Sequence, residues 1–199
     1  MDTFEVIPQS IEDLQALSFT NKRRRIWQPF MEKYNCQKIA EIGVYEGLNF
    51  NLMIQHKPEV AIGIDAWLND GVISRNDSGC SQERLDEIYN NVMALVADKP
   101  FVKIYREYTF DAASRFPDEY FDLIYIDADH TYEGCSKDIV AWYPKVKKGR
   151  FVTGDDYTHN RAKYTGVRFG VIEAVDDFAK KNNLIVYKLP HHGWAVIKS

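Results

Sequence analysis

The chain has 199 residues, 45% of them hydrophobic and 27% charged, with a formal net charge of −4, which suits one globular domain with a substantial core. The dense basic run Lys22–Arg25 reads as a solvated helix face rather than a nucleic-acid patch, and no apolar stretch is long enough to span a bilayer, so neither nucleic acid nor membrane is expected as a partner. Cys36, Cys80 and Cys135 are far apart and form no CxxC, and the first residues lack a signal-peptide apolar region; a disulfide framework and a structural zinc site are excluded, and a cytoplasmic location is expected.

Residues 10–35 carry helical spacing (Ile11, Leu14, Leu17, then Ile26, Phe30, Met31), with Pro29 expected to kink or split the stretch. Residues 1–34 are taken as a helical lead-in that caps substrate or contacts another subunit, and 35–199 as the main domain. Lys38–Val44 is a short apolar run ending near a glycine and predicts a buried strand; Gly47–His56 predicts a helix, and Val60–Ala66 a second buried strand. Ser81 is placed to cap a helix in which Leu85, Ile88, Tyr89, Val92, Met93 and Val96 follow the helical period. Strands are predicted at Phe101–Tyr105, Tyr120–Ala128 and Arg150–Gly154, and helices at Thr131–Tyr143, ended by Pro144, and Gly170–Lys181. Leu184–Leu189 and Trp194–Lys198 predict a hairpin around Pro190–Gly193. Apolar strands alternating with helices specify an α/β fold: a doubly wound, mostly parallel seven-stranded sheet of Rossmann-like type, closed by an antiparallel hairpin.

The polar motifs fall at the carboxyl ends of the predicted strands, where ligands sit in such sheets. Glu41-Ile-Gly43-Val-Tyr-Glu-Gly47 follows the first strand. Gly43 permits a tight turn, and Gly47 a close approach where the helix begins. The spacing is neither G-x-G-x-x-G nor a P-loop, which disfavours pyrophosphate cofactors. Asp65 ends the second strand, 22 residues after Gly43, where a carboxylate can accept from both ribose hydroxyls. Together these point to a nucleoside without phosphates, as in S-adenosylmethionine. Trp67 either walls the adenine or packs in the core. Tyr108, Thr109, Phe110 and Asp111 follow the third strand, where a nucleobase could lie.

These motifs, with GID at the second strand and FDLIYIDADHTYEGCSKDIVAWYPKVKKGRFVTGDDY, resemble the class I S-adenosylmethionine methyltransferases over roughly residues 35–198. More narrowly, the chain resembles the small O-methyltransferase group (methyltransferase family 24) that includes the macrocin-type enzymes and, more distantly, the catechol and caffeoyl-CoA enzymes. The cofactor contacts expected from these positions are Glu41, Gly43, Gly47, Asp65, Trp67, Thr109, Phe110 and Asp127.

Asp127, Asp129 and His130 follow the fourth strand, and Asp155 and Asp156 the fifth. Carboxylates converging without basic partners repel, which a divalent cation relieves; oxygen ligands favour Mg²⁺, Mn²⁺ or Ca²⁺ over zinc. The resemblance implies metal ligands at Asp127, Asp155 and Asp156, with His130 as general base three residues beyond Asp127. Asp127 and His130 are thus the expected catalytic residues. Asp155 and Asp156 read equally as a helix cap or turn, and Asp129 as support for its loop. His191 and His192 are taken as surface residues.

The expected reaction is O-methylation of a hydroxyl on a sugar or small natural product, assisted by Mg²⁺. Asn69–Gln82 and Tyr157–Arg168 could act as lids. A large acceptor would need the N-terminal helices or a second copy of the chain. Other readings are a non-catalytic S-adenosylmethionine- or partner-binding domain and a hydroxylase-type relative sharing the domain.

Overall fold

The computed structural model describes residues 27–71, 79–163 and 166–199. The expectations for residues 10–26, including Lys22–Arg25, and the middle of the 69–82 segment lie outside these. The elements run α1 (Trp27–Tyr34), β1 (Lys38–Ile42), α2 (Leu48–Ile54), β2 (Val60–Asp65), α3 (Gln82–Val96), β3 (Val102–Arg106), α4 (Thr109–Ala112), β4 (Phe121–Ile126), α5 (Tyr132–Trp142), β5 (Val146–Gly154), α6 (Val171–Lys181), β6 (Tyr187–Lys188) and β7 (Trp194–Ile197).

The strands form one seven-stranded sheet in the order β3-β2-β1-β4-β5-β7-β6. The first five are parallel, and β7 runs antiparallel between β5 and β6. The strand order reverses between β1 and β4, which places a ligand crevice above their carboxyl ends.

Both faces of the sheet are covered. On one, Leu123, Tyr125, Phe151 and Ile39 pack with Trp27, Phe30 and Met31 of α1, Phe50 and Met53 of α2, and Leu85, Ile88 and Val92 of α3. On the other, Ile42, Ile124, Val152 and Trp194 pack with Ile139 and Trp142 of α5 and Val171 and Val175 of α6. α1 therefore belongs to the main core. Every residue of β4 is buried, which accounts for its unbroken apolar run. The exception in kind is Asp122. Its carboxylate accepts from the backbone N–H of Gln37 and Lys38, both at 2.9 Å, and from Lys147 Nζ at 2.7 Å.

Several boundaries differ from the sequence pattern. β5 begins at Val146, four residues before the predicted start, because Lys147, Lys148 and Gly149 hide the strand in the sequence. A register shift between Phe121 and Leu123 lets that stretch pair with β4. β6 has two residues rather than six. α4 has four, too few for a helical period to show. Pro29 lies in the described part of α1, which runs on to Tyr34; the stretch before it, where a kink or break was expected to show, lies outside the described residues. Among the described residues, no helix is long and apolar enough to cross a membrane.

Candidate active site

A cleft of about 1060 Å³ opens where the carboxyl ends of β1, β2 and β4 meet the starts of α4 and α5. Its shape depends first on glycine. Gly43 has φ +93°, and a Cβ there would fall 2.0 Å from the backbone oxygen of Asp127. The β1 turn thus lies directly against the exit of β4, so this glycine serves backbone packing. Gly47 has φ +73° at the N-cap of α2, and its added Cβ would press on Val92 at 3.2 Å.

Asp65 is clamped by its neighbours. Its Oδ2 accepts from the N–H of Tyr45 at 2.9 Å, and its Oδ1 from that of Trp67 at 2.8 Å. Burial raises its carboxyl above the usual range, against the opposing pull of those amides. Trp67 is 1% exposed at φ +41°, and its indole N–H donates to Tyr45 O at 3.0 Å. Its carbonyl accepts from Gln82 Nε2 at 3.1 Å and Arg106 Nη2 at 2.9 Å. Trp67 is therefore both a lining residue and the buttress of Asp65.

Glu41 lies on the cleft floor, 1% exposed. Its Oε1 accepts from Asn49 Nδ2 at 3.1 Å, and Asn49 Oδ1 accepts from Trp27 Nε1 at 2.7 Å. Its Oε2 has no hydrogen-bond partner among the described residues. Burial pushes this carboxyl well up; Asn49 opposes the shift, and Asp127 and Asp65 add to it.

Thr109 and Phe110 line the cleft at the start of α4. Thr109 Oγ1 donates to Asp138 Oδ1 at 2.6 Å, and its carbonyl accepts from Trp142 Nε1 at 2.9 Å. Tyr108 and Phe110 stack with centroids 5.8 Å apart.

At the other end, His130 Nε2 lies 3.1 Å from Asp127 Oδ1 and 3.3 Å from Asp156 Oδ2. One donor atom from each of these three residues lies within 4.8 Å of the others. The imidazole is the basic partner that the sequence reading did not give these carboxylates. It also puts a nitrogen into a donor set read as all oxygen, which counts against Mg²⁺ and Ca²⁺ and would suit a transition metal that accepts imidazole. The His130 ring packs on Phe169 at 4.7 Å.

Asp155 is not part of that group. It is 3% exposed, its N–H donates to Ile126 O at 3.1 Å, and its carbonyl accepts from Trp194 Nε1 at 3.2 Å. The chain then turns at Asp156, φ +53°, and the N–H of Tyr157 donates to His192 O at 2.7 Å. The β6–β7 hairpin thus grips this turn on both sides. Asp129 supports the loop before α5: its Oδ1 accepts from the N–H of Thr131, the N-cap residue, at 2.9 Å, and its carboxyl fills the space that a side chain at Gly134 would need.

Asn49, Trp27 and Asp138 were not singled out by sequence reasoning. They sit in helices at positions that motif spacing does not mark. The available signal was a buried-face polar residue, Asp138, in the otherwise apolar inner face of α5.

Comparison with known proteins gives a consistent picture. Residues 40–157 match the family model described as a methyltransferase domain. An uncharacterised protein of Acanthamoeba polyphaga mimivirus, R132, is 25% identical over 178 residues, spanning 77% of this chain and 73% of that protein. An O-methyltransferase from Bacillus cereus, solved in complex with S-adenosylhomocysteine, superposes with a TM-score of 0.61 at 14% identity, over 96% of this chain and 91% of that one. A methyltransferase from Geobacter sulfurreducens superposes with a TM-score of 0.61 at 9% identity, over 100% of this chain and 91% of that one. At such identities the likeness is one of fold.

Proposed function

The chain belongs to the methyltransferase-domain family, and on that premise we propose that it is an S-adenosylmethionine-dependent enzyme of the small O-methyltransferase group that methylates a hydroxyl of a small molecule with His130 as general base. The observation that carries the proposal is the placement of His130 Nε2 between the carboxylates of Asp127 and Asp156 at the cleft wall.

The cleft residues fit the cofactor. The partnerless, buried Glu41 Oε2 suits a cationic donor such as the ammonium of the methionyl part. The Asp65 carboxyl, held by backbone amides, lines the cleft and suits acceptance from ribose hydroxyls. S-Adenosylmethionine supplies an electrophilic methyl group on a sulfonium.

The chain's own work is to orient the acceptor hydroxyl and to take its proton at the His130 imidazole, whose Nε2 faces the two carboxylates. The imidazolium so formed is stabilised by Asp127 and Asp156, while Phe169 packs against the ring and limits water. Asp127 and Asp156 also fit a divalent cation; were His130 to complete that donor group, it would act as a ligand and not as the base. Such a cation would lower the pKa of a bound hydroxyl. Asp155, the third ligand implied by resemblance, points its backbone into the hairpin instead, so its part would be to fix the turn that carries Asp156.

The test is formation of S-adenosylhomocysteine and of methylated product with a panel of hydroxyl acceptors, with and without EDTA, Mg²⁺ and Mn²⁺. His130→Ala is expected to lower turnover by about 10²–10⁴-fold with S-adenosylhomocysteine affinity unchanged. Unchanged turnover would remove His130 from the chemistry, and insensitivity to EDTA would remove the cation. Product heavier by oxygen rather than by methyl would favour the hydroxylase-type reading.

A further inference from the structure

Asn49 and Glu41 line the cleft, whereas Trp27 of α1 lies behind them in the core. Two hydrogen bonds join the three. Trp27 Nε1 donates to Asn49 Oδ1 at 2.7 Å, and Asn49 Nδ2 donates to Glu41 Oε1 at 3.1 Å. We propose that Trp27 is a positioning residue for the cofactor: it fixes the Asn49 amide so that Glu41 keeps a donor on one oxygen and presents the other, Oε2, to the methionyl ammonium. This rests on the adenosyl reading of the cleft.

An amide side chain can turn either its oxygen or its NH₂ toward a carboxylate, and only the NH₂ attracts it. The indole has an N–H and no acceptor, so it binds the amide oxygen alone. With Oδ1 held by Trp27, the NH₂ points the other way, and it donates to Glu41 and, at 3.6 Å, to Met53 Sδ. The indole itself has little freedom. Trp27 is buried, and its ring meets those of Phe30 and Tyr125 edge-on, with centroids 6.2 and 5.0 Å away. Tyr125 lines the cleft, and α1 packs on α2, which bears Asn49. Burial pushes the Glu41 carboxyl up, and Asn49 opposes that rise. The relay therefore favours the ionised carboxylate that an ammonium needs. Without the indole, the amide can turn its oxygen to Glu41, which repels it, or leave Oε1 as bare as Oε2.

The experiment is calorimetric titration of the full chain with S-adenosylhomocysteine and with 5′-methylthioadenosine, which keeps the nucleoside and the sulfur but lacks the amino-acid part. Trp27→Phe keeps an aromatic ring in the core and removes the donor. It is expected to weaken S-adenosylhomocysteine binding by about tenfold and to leave 5′-methylthioadenosine binding unchanged. Asn49→Ala should show the same split, and adding Trp27→Phe to it should cost nothing more, since the indole acts through Asn49. A purely structural role for Trp27 would weaken both ligands alike, and that result overturns the proposal. Unchanged binding of both ligands by Trp27→Phe also overturns it, as does equal affinity of the wild type for the two. Should Trp27→Phe not fold, the indole N–H resonance of Trp27 in ¹⁵N-labelled wild type decides. It should shift with S-adenosylhomocysteine and stay in place with 5′-methylthioadenosine; a like response to both overturns the relay. Binding of neither ligand to the wild type would instead fail the adenosyl reading itself.

Discussion

Asp65 owes its orientation to two amides, those of Tyr45 and Trp67, that belong to residues in the left-handed backbone region, at φ +47° and +41°. Bulky residues held there cost on the order of 1–3 kcal/mol each and persist only where the surroundings impose them. The position of Asp65 was legible in the sequence because strand-end spacing marks it. Its clamp was not, since backbone strain leaves no composition signal. Asp138 was harder to read: an acidic residue in a helix is ordinarily solvated, and only its place among the apolar residues of the inner face of α5 signals that this one is buried. It also yields a prediction. A carboxyl raised from 3.8 to about 7 binds more protons folded than unfolded between those values. Its contribution to stability therefore falls as pH rises through that window and is lowest above about 7. Asp138→Asn removes this dependence while keeping an acceptor for Thr109. The stability of the variant relative to wild type, from urea unfolding, is expected to rise between pH 5 and pH 8; a constant difference would show that Asp138 titrates normally.

Among the elements, α5 joins legible and hidden features. Its start near Thr131 was expected from the sequence; that Thr131 caps it, with Oγ1 accepting from Gly134 N–H at 3.0 Å, was not. That Gly134 exists to admit Asp129 was not readable, because the contact joins the loop to the first turn through space. A Cβ at Gly134 would lie 2.1 Å from Asp129 Cγ, so Gly134→Ala must expel the carboxyl and lose its bond to Thr131. A loss of about 1–2 kcal/mol in stability is expected by thermal or chemical unfolding. Turnover should fall with it, since His130 lies in the displaced loop. The same logic explains Asp155 and Asp156. Adjacent in sequence, they differ in what holds them: the αL turn at Asp156 brings its carboxylate to His130, while Trp194 of the hairpin binds the backbone carbonyl of Asp155.

At the scale of the whole molecule, the parallel sheet and the closing hairpin followed from periodicity. The strand order did not, since each crossover's direction is decided by packing rather than by pattern. The two ends of the strands divide the labour. The carboxyl ends hold the cleft, and the opposite ends are tied by Asp122, which binds the start of β1 and Lys147 of β5. Burial opposes ionisation of Asp122, but Lys147 and the Lys38 and Gln37 amides outweigh it and hold the carboxyl below its ordinary value. Its stabilisation is thus present above about pH 4 and lost as the medium becomes more acid. Asp122→Ala is expected to cost about 2 kcal/mol at pH 7, measured by chemical denaturation, with S-adenosylhomocysteine affinity unchanged. A large loss of affinity instead would mean that the two ends of the sheet are coupled.

The insertion of β7 between β5 and β6 has a consequence for how the protein is made. A ribosome delivers β5 well before β7, so a nascent chain can assemble the parallel strands and the nucleoside end of the cleft while the turn at Asp155–Tyr157 still lacks its grip from Trp194 and His192. Chains stalled before residue 192 should therefore capture adenosyl ligands without performing chemistry. Catalytic competence would arrive only with the final strand.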